Sequence, residues 1–279
     1  MTLNELNLDH FAILGPCVIE NQEHTLAMAS QVREAVRESK FTPIFKSSFQ
    51  KANRSSNRSF SGLGITAGLE ILQEVKEQFG MIVTTDVHES HTVNQVAEVV
   101  DILQIPAFLC RQTDLLQACA ETKKILNVKK AQFMSGYEMI NVVEKLIEFG
   151  ASEIILTERG TMFGYNNLIV DFRNLEIMKT FGVKVCMDAT HSVQLPGAKG
   201  LTSGGQRQFV GTLARAAAIT GVDGFFMETH DDPNNAPSDG PNMIPINQLA
   251  PLLNQLNQIK ILQSSLEKLP FEDLGASGH

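Results

Sequence analysis

Short apolar runs alternate with amphipathic stretches along almost the whole chain. The apolar runs predict strands over residues 11–17, 42–49, 81–88, 99–107, 125–130, 153–159, 183–188 and 224–228. Apolar positions at helical spacing predict helices over residues 22–38, 68–79, 91–98, 112–123, 136–149, from about 174, 206–220 and 246–267. A hairpin-like insertion is predicted over residues 161–170, where Gly164 and Asn166 favour a turn.

Strands that alternate with helices indicate a parallel sheet. Eight such units, with no change in composition between the two halves of the chain, favour the α/β class and a closed (β/α)8 TIM barrel. The alternative is an open, doubly wound sheet, but no GxGxxG motif follows the first strand. We expect a single domain over residues 1–279, with a short polar N-terminus over about 1–10 and a flexible C-terminal tail over about 270–279.

Composition and charge narrow the classes of function. The chain has 279 residues, is 43% hydrophobic and carries a formal net charge of −8. Because general nucleic-acid binding needs a basic face, this acidic balance argues against a nucleic-acid partner. No apolar run approaches the roughly 20 residues of a membrane span, so no membrane partner is expected. The four cysteines form no CxxC pair and no signal-peptide core occurs, so we expect reduced thiols in a cytoplasmic protein.

A basic, hydroxyl-rich loop follows the second predicted strand. Residues 46–56 place Lys46, Lys51 and Arg54 among serines and one asparagine. Cations, hydroxyls and backbone N–H groups suit the anionic oxygens of a phosphate or a carboxylate. The alternative is a solvated basic turn, but the cluster begins where a buried strand ends rather than on a helix face. The loop is therefore a candidate anion site.

The other predicted strands also end in polar residues. In chain order, the residues at or just past the strand ends are Cys17, Lys46, Asp86, His88, Gln104, Lys129, Arg159, His191 and Glu228. In a parallel barrel these ends converge on one site. The cations Lys46, Lys51, Lys129 and Arg159 would repel one another there unless an anion neutralised them. We therefore expect one or two substrates that carry several negative charges.

Four residues of a different character also belong to this end of the predicted barrel. Cys17, His191 and Glu228 follow the first, seventh and eighth strands, which barrel closure makes neighbours, and Asp239 lies in the loop after the eighth. One thiolate, one imidazole and two carboxylates suit a divalent zinc, iron(II), manganese or cobalt ion. The alternative is that Cys17 is a small buried apolar residue.

Several motifs resemble those of the 3-deoxy-D-manno-octulosonate 8-phosphate synthase family. The most specific is the loop 46–56, which matches KxSFxKANRSS. The others lie at residues 85–89, 104–108, 111–114, 127–130, 163–166 and 239–241, and the resemblance covers roughly residues 11–265. The related 3-deoxy-D-arabino-heptulosonate 7-phosphate synthases share the fold but carry a KPRTS-type loop. They are the nearest enzymatic alternative, with erythrose 4-phosphate as substrate.

The resemblance implies the condensation of phosphoenolpyruvate with D-arabinose 5-phosphate, which supplies the keto-sugar of lipopolysaccharide. The residues expected to contact the carboxylate region of phosphoenolpyruvate are Lys46, Ser48, Lys51 and Gln104. Those expected at its phosphate are Lys129, Arg159 and the backbone N–H near Ala107. Those expected at arabinose 5-phosphate are Asn53, Arg54 and Ser55, with Arg111 from a neighbouring subunit at its phosphate.

The resemblance also implies catalytic residues, a metal and an oligomer. The residues expected to take part in catalysis are Lys51, Asn53, Asp86 and His191. The family has a metal-free class with asparagine at the position of Cys17, so Cys17 places this chain with the metal-requiring class, with Cys17, His191, Glu228 and Asp239 as ligands. A homotetramer with active sites near the subunit interfaces is expected. A non-catalytic barrel that binds a phosphorylated metabolite remains the alternative outside enzymes.

Overall fold

The computed structural model of the chain describes residues 2–52, 60–199 and 202–269. Its strands are β1 (Phe11–Gly15), β2 (Thr42–Lys46), β3 (Ile82–Asp86), β4 (Ile102–Ile105), β5 (Ile125–Lys129), β6 (Ile154–Glu158), β7 (Thr161–Gly164), β8 (Asn167–Ile169), β9 (Lys184–Asp188), β10 (Gln194–Lys199), β11 (Thr202–Gly205), β12 (Gly224–His230) and β13 (Ile244–Pro245). Its helices are α1 (Gln22–Val36), α2 (Ile65–Phe79), α3 (Val93–Val99), α4 (Thr113–Glu121), α5 (Met139–Glu148), α6 (Arg173–Lys179), α7 (Val210–Ile219) and α8 (Leu249–Ser265).

Eight parallel strands close into a barrel. Their order is β1-β2-β3-β4-β5-β6-β9-β12, and β12 pairs back onto β1, with Ile13 beside Phe226 and Gly15 beside Glu228. The short strand β13 pairs in parallel with the last two residues of β12. The predicted (β/α)8 barrel is confirmed. The extent of a single domain over 1–279 stays a prediction, and the tail 270–279 lies outside the described residues.

The helices form because their apolar residues recur at helical spacing and face the barrel. In α5 the buried residues Met139, Val142, Val143 and Leu146 follow the spacing i, i+3, i+4, i+7. Helix α1 begins where Asn21 Oδ1 accepts a hydrogen bond from the His24 backbone N–H at 2.8 Å. The main apolar core therefore lies between the helices and the outer face of the barrel.

A second, smaller core fills the interior of the barrel. It contains Ile13, Ile44 and Phe226 from the strands together with Leu3 and Leu8 from the N-terminal segment. Residues 1–10 were expected to be a short polar N-terminus, but Leu3 and Leu8 are buried. Polar residues flank both leucines, so no apolar run marked them in the sequence. The described part of this segment therefore packs against the barrel.

Two features of the fold differ from the predicted elements. The strand predicted over 99–107 shrinks to β4 because Val99 still belongs to α3 and Pro106 follows the strand. The helix predicted from residue 206 begins at Val210, and the antiparallel hairpin β10–β11 occupies part of the segment before it. The predicted insertion over 161–170 is confirmed as the hairpin β7–β8. No helix within the described ranges has the length and apolarity needed to cross a membrane.

Candidate active site

The barrel strands bring buried charged side chains to one end of the molecule. β2 ends at Lys46, β3 at Asp86, β5 at Lys129 and β9 at Asp188, and all four side chains are buried. Strand β12 presents the buried Glu228 at the same end. Because the strands are parallel and closed, their carboxyl ends face a common centre. The fold thus gathers the candidate chemistry without long loops for these five residues.

A glycine allows the close approach of β1 and β2. Gly15 has a φ of +144°, and a Cβ at this position would lie 2.2 Å from the backbone oxygen of Lys46. The chain then reaches Cys17, whose backbone oxygen accepts a hydrogen bond from Lys46 Nζ at 3.2 Å. Since only glycine combines this backbone conformation with the missing Cβ, Gly15 fixes Cys17 beside Lys46.

The four residues predicted as metal ligands meet at this end of the barrel. Cys17, Glu228 and Asp239 each offer one ligand atom within 4.8 Å of the others. Cys17 Sγ lies 3.2 Å from Asp239 Oδ2. His191 Nε2 lies 3.8 Å from Glu228 Oε1 and 4.0 Å from Asp239 Oδ2. These distances bring together the whole predicted set.

The chemistry of this set fits a divalent transition metal. Its donors are one sulfur, one imidazole nitrogen and two carboxylates. Glu228 Oε2 is buried and has no hydrogen-bond partner among the described residues, so it is available as a ligand. Burial raises the pKa of Glu228, but Lys46 and His191 outweigh it and keep the carboxyl charged. Burial also raises the pKa of the Cys17 thiol, so an ion would displace its proton on binding.

Asp188 holds two of the other candidate side chains. His191 Nδ1 lies 2.7 Å from Asp188 Oδ2, and the His191 backbone N–H donates to Asp188 Oδ1 at 2.8 Å. Lys129 Nζ donates to Asp188 Oδ2 as well and lies 3.3 Å from the ring centroid of Phe226. Burial raises the pKa of Asp188, but His191 and Lys129 lower it below its ordinary value. Because Nδ1 of His191 is engaged, Nε2 is the nitrogen left for a metal.

A second polar network surrounds Asp86. Its carboxylate accepts hydrogen bonds from Ser48 and Gln104, and Lys51 Nζ lies 3.8 Å from Oδ2. Lys51 also donates to Ser48 Oγ at 2.9 Å. Burial lowers the pKa of Lys51, but the acidic groups around it, Cys17 and Asp86 foremost, raise it above its ordinary value. Lys51 is therefore an ammonium group and acts as a donor, not as a base.

The candidate anion-binding cations are mostly paired with carboxylates. Lys46 Nζ lies 3.0 Å from Glu228 Oε1, and Lys51 and Lys129 pair with Asp86 and Asp188. The expectation that an anion must offset their mutual repulsion is therefore wrong for these three lysines, because buried carboxylates at neighbouring strand ends already do so.

Arg159 is the exception among these cations. Its Nη2 donates to Gln194 Oε1 at 2.7 Å, but its buried Nη1 has no hydrogen-bond partner within the described ranges. Burial lowers the pKa of Arg159. A buried donor without a partner costs free energy, so it is a natural contact for a substrate oxygen.

The remaining predicted residues lie in three different settings. Ala107 begins a single turn of 3-10 helix directly after β4 and is half-buried. Arg111 lies on the exposed surface before α4. The three predicted arabinose 5-phosphate residues Asn53, Arg54 and Ser55 lie outside the described residues.

The sequence argument missed two residues that organise the site. Asp188 ends the strand predicted over 183–188, so its position was a usable signal. Gln194 joins Arg159 to Asp239, because its Nε2 donates to Asp239 Oδ1 at 3.0 Å. Gln194 begins the unpredicted hairpin β10–β11, and no sequence pattern marked it.

Comparisons with known proteins identify the family of the chain. Residues 7–264 match the family model described as the DAHP synthetase I family. The 2-dehydro-3-deoxyphosphooctonate aldolase of Cyanothece sp. is 56% identical over 251 residues, which are 90% of this chain and 92% of that protein. The protein of the same name from Paraburkholderia phymatum is 50% identical over 275 residues, 96% of each chain. That of Synechococcus sp. is 54% identical over 246 residues, 88% of this chain and 87% of that protein.

The family model covers most of the chain, and the relatives are similar over nearly their whole length. This chain therefore belongs to the DAHP synthetase I family, in the group of the 2-dehydro-3-deoxyphosphooctonate aldolases.

Proposed function

We propose that this enzyme condenses phosphoenolpyruvate with D-arabinose 5-phosphate and water. The products are 3-deoxy-D-manno-octulosonate 8-phosphate and inorganic phosphate, and the sugar serves lipopolysaccharide biosynthesis. The observation that carries the proposal is the buried, charged strand-end cluster, in which Arg159 keeps a donor without a partner among the described residues. The names of relatives that are 50–56% identical over most of the chain support the same reaction.

Phosphoenolpyruvate lies along one side of this cluster. Arg159 and Lys129 hold its phosphate, with the backbone N–H near Ala107, and Nη1 of Arg159 supplies a charge-assisted hydrogen bond. Lys46, Ser48 and Gln104 contact its carboxylate end. These side chains sit on or directly after barrel strands, so their relative positions are set before the substrate binds.

Arabinose 5-phosphate lies beside it, held by Asn53, Arg54 and Ser55 of the signature loop and by Arg111 of a neighbouring subunit. The methylene carbon of phosphoenolpyruvate attacks the aldehyde carbon of the sugar. Water adds to the phosphoenolpyruvate carbon that bears the phosphate, and inorganic phosphate then leaves from that carbon. Lys51, a charged ammonium, donates a hydrogen bond to the aldehyde oxygen as it gains negative charge. Asp86 holds Lys51 and Ser48 in place for this step.

The metal is a separate part of the proposal. Cys17, His191, Glu228 and Asp239 would hold one divalent ion, which supplies Lewis-acid polarisation of an oxygen in the site. The charges of the neighbouring residues favour such an ion, because cations and carboxylates balance at this end of the barrel. The cations are Lys46, Lys51, Lys129 and Arg159, and the carboxylates are those of Asp86, Asp188, Glu228 and Asp239. Two phosphorylated substrates need additional positive charge beside them.

Chelation tests the metal. Exhaustive treatment with a chelator should abolish turnover and leave the circular dichroism unchanged, because the barrel core does not depend on these four residues. Adding manganese, cobalt or zinc to the chelated wild-type protein should restore activity. The variant Cys17→Asn should keep chelator-resistant activity, since the cations that bind both substrates are intact. A wild-type protein that is fully active and metal-free after chelation would contradict the metal part alone.

The choice of aldose tests the substrate. The signature loop has Ala52 and Asn53 where the heptulosonate enzymes carry a Pro-Arg pair. Phosphate release from phosphoenolpyruvate should therefore proceed with arabinose 5-phosphate and be slow or absent with erythrose 4-phosphate. Equal or faster turnover with erythrose 4-phosphate would overturn the assignment in favour of the heptulosonate reaction. Binding of either sugar phosphate without any phosphate release would favour a regulatory barrel.

The proposal includes an assembly and a location. A homotetramer with active sites near the interfaces is supported by exposed aromatic side chains on the hairpin β7–β8, where Phe163 is 92% and Tyr165 is 99% exposed. Light scattering of the wild type should give four times the mass of the chain. The double variant Phe163→Ser, Tyr165→Ser should give a smaller particle. A wild-type monomer would contradict the tetramer. A cytoplasmic location is favoured by four buried, unpaired cysteines.

A further inference from the structure

A second group of metal-ligating side chains lies just beyond the candidate active site. Glu20, His24 and His230 each offer one ligand atom within 4.8 Å of the others. Glu20 follows Cys17 by three residues, and His230 follows Glu228 by two, at the end of β12. His24 lies in the first turn of α1. The segment after β1 and the end of β12 therefore contribute residues to both groups, but no residue is shared between them.

The hydrogen bonds of this group have one carboxylate at their centre. Asp231 Oδ1 lies 3.0 Å from His24 Nε2 and 3.0 Å from His230 Nδ1. His230 Nε2 lies 2.8 Å from Glu20 Oε1. His24 Nδ1 is buried and has no hydrogen-bond partner among the described residues. A buried nitrogen without a partner is unusual, and it indicates a missing partner.

The tautomers of the two rings determine what that partner is. Each neutral imidazole carries one N–H, and Asp231 Oδ1 is close enough to accept from His24 Nε2 and from His230 Nδ1. The Asp232 backbone N–H donates to His230 Nδ1 at 2.9 Å and to Asp231 Oδ1 at 3.0 Å, so without an ion the proton of His230 lies on Nε2, where Glu20 Oε1 accepts it. His24 Nδ1 therefore already carries a lone pair. His230 Nε2 gains one when its proton moves to Nδ1, where Asp231 Oδ1 accepts it and the Asp232 N–H keeps its own bond to that oxygen.

We propose that Glu20, His24 and His230 form a second binding site for a divalent transition-metal ion, with Asp231 orienting both rings. Two imidazoles and one carboxylate are a common ligand set for zinc and also bind cobalt. A carboxylate that accepts from the far nitrogen of a ligating histidine is the usual support of such a site. Donors within 4.8 Å need only small side-chain rotations to reach the distances of about 2.0–2.2 Å at which zinc is bound.

The proposed ion connects two segments that the active site uses. Glu20 and His24 belong to the β1–α1 connection that follows Cys17, and His230 lies at the end of β12 after Glu228. An ion held by all three would tie these segments together. Since an ion that binds only the folded chain stabilises it by mass action, the melting temperature should rise with metal concentration.

The test uses full-length protein that carries Cys17→Ala, in which the sulfur ligand of the first metal set is absent. Cobalt(II) is titrated into metal-free Cys17→Ala, into Cys17→Ala with His24→Ala, and into Cys17→Ala with His91→Ala. His91 is an exposed histidine in a different loop and controls for adventitious binding by surface imidazole. Calorimetry gives stoichiometry and affinity, and circular dichroism checks the fold of each variant.

We expect Cys17→Ala and its His91→Ala control to bind cobalt, and their melting temperatures should rise with cobalt. The variant with His24→Ala should bind cobalt at least tenfold more weakly, and its melting temperature should not rise. Because His24→Ala also shortens a side chain in the first turn of α1, His24→Gln serves as a second variant of similar size and should behave in the same way. Equal cobalt affinity in the His24 variants and in the His91 control overturns the proposal.

Wild-type protein separates this proposal from the active-site metal. Cobalt bound by the Cys17 thiolate should give sulfur-to-metal charge-transfer absorption, and cobalt held by Glu20, His24 and His230 should not. His24→Ala in an otherwise wild-type chain should therefore keep this absorption and lose one bound ion. If the wild type binds a single ion and His24→Ala leaves both that ion and the absorption unchanged, the second site is refuted and the first is not.

Discussion

Buried charges at the strand ends are held in pairs, and Asp188 is the clearest example. Its carboxylate contacts both Lys129 and His191, and both contacts lie at the carboxyl ends of the barrel strands. Burial alone raises the pKa of Asp188, and its contacts with His191 and Lys129 lower that pKa below its ordinary value. Removing the carboxylate leaves a buried lysine without its partner and frees the imidazole to rotate. One residue thus positions both Lys129, which we propose binds substrate, and His191, which we propose binds the metal.

The variant Asp188→Asn tests this role. An amide retains the size of the side chain but no longer offers two acceptor oxygens to Lys129 and His191. We expect the affinity for the active-site metal to fall by about 10–100-fold, the usual effect of removing an orienting carboxylate. Competition with a chromogenic chelator measures this change directly. Asp171→Asn, which removes the half-buried carboxylate partner of the exposed Arg173, is the matched control and should leave the metal affinity unchanged. Unchanged metal affinity in Asp188→Asn would show that His191 needs no such support.

At the scale of elements, the approach of β1 and β2 places Cys17 and Lys46 side by side. Gly15 makes this approach possible, because a Cβ there would meet the Lys46 backbone oxygen at 2.2 Å. The two strands pair along their length from Phe11 to Leu14, so a displacement at Gly15 moves the ends that carry the site. A substitution at Gly15 should therefore change both the stability of the barrel and the geometry of the candidate active site.

We predict that Gly15→Ala lowers the free energy of unfolding by more than about 2 kcal/mol, because it combines an unfavourable backbone conformation with a clash against backbone. Activity should fall as well. Gly80→Ala is the matched control: Gly80 also has a positive φ, but a Cβ there meets no atom within 4 Å. That variant should cost about 1 kcal/mol and leave activity unchanged. Urea denaturation and steady-state rates measure both. Equal losses in the two variants would mean that the close contact is unimportant.

The elements were predictable from the sequence to different degrees. The eight barrel strands are short runs with apolar residues on both faces, so composition alone marked them. The hairpin β10–β11 was not predicted because its second strand, Thr202–Gly205, contains two glycines and no apolar residue. Gln194 was missed for the same reason, since its bridge from Arg159 to Asp239 depends on where that hairpin folds. Asp188 was within reach of the sequence argument, but its two partners come from tertiary packing.

At the scale of the whole molecule, the buried carboxylates make stability depend on acid. Burial raises the pKa of Asp86, but Lys46 and Lys51 lower it below its ordinary value of 3.8. A carboxyl whose pKa is lower in the folded than in the unfolded chain contributes stability that is fully present above the unfolded value. This contribution is lost as the pH falls from the pKa of the group in the unfolded chain toward its pKa in the folded protein. Asp188 acts in the same direction.

We therefore predict that the free energy of unfolding is flat near neutral pH and falls below about pH 5. The expected slope is up to about 1.4 kcal/mol per pH unit for each such carboxylate. Urea denaturation of metal-free protein between pH 7 and pH 3 measures the slope. Asp86→Asn, which removes one titrating group, should give a shallower fall although it is less stable at neutral pH. A free energy of unfolding that rises between pH 5 and pH 3 would contradict this linkage.

The central claim for the molecule is that one site joins two phosphorylated substrates. The most direct measurement follows the consumption of phosphoenolpyruvate with D-arabinose 5-phosphate and quantifies both products, inorganic phosphate by colorimetry and the sugar phosphate by mass spectrometry. We predict equal amounts of phosphate and of a keto-sugar phosphate with eight carbons, and no phosphate release when the aldose is left out. Phosphate released without the aldose, or without the eight-carbon product, would contradict the condensation.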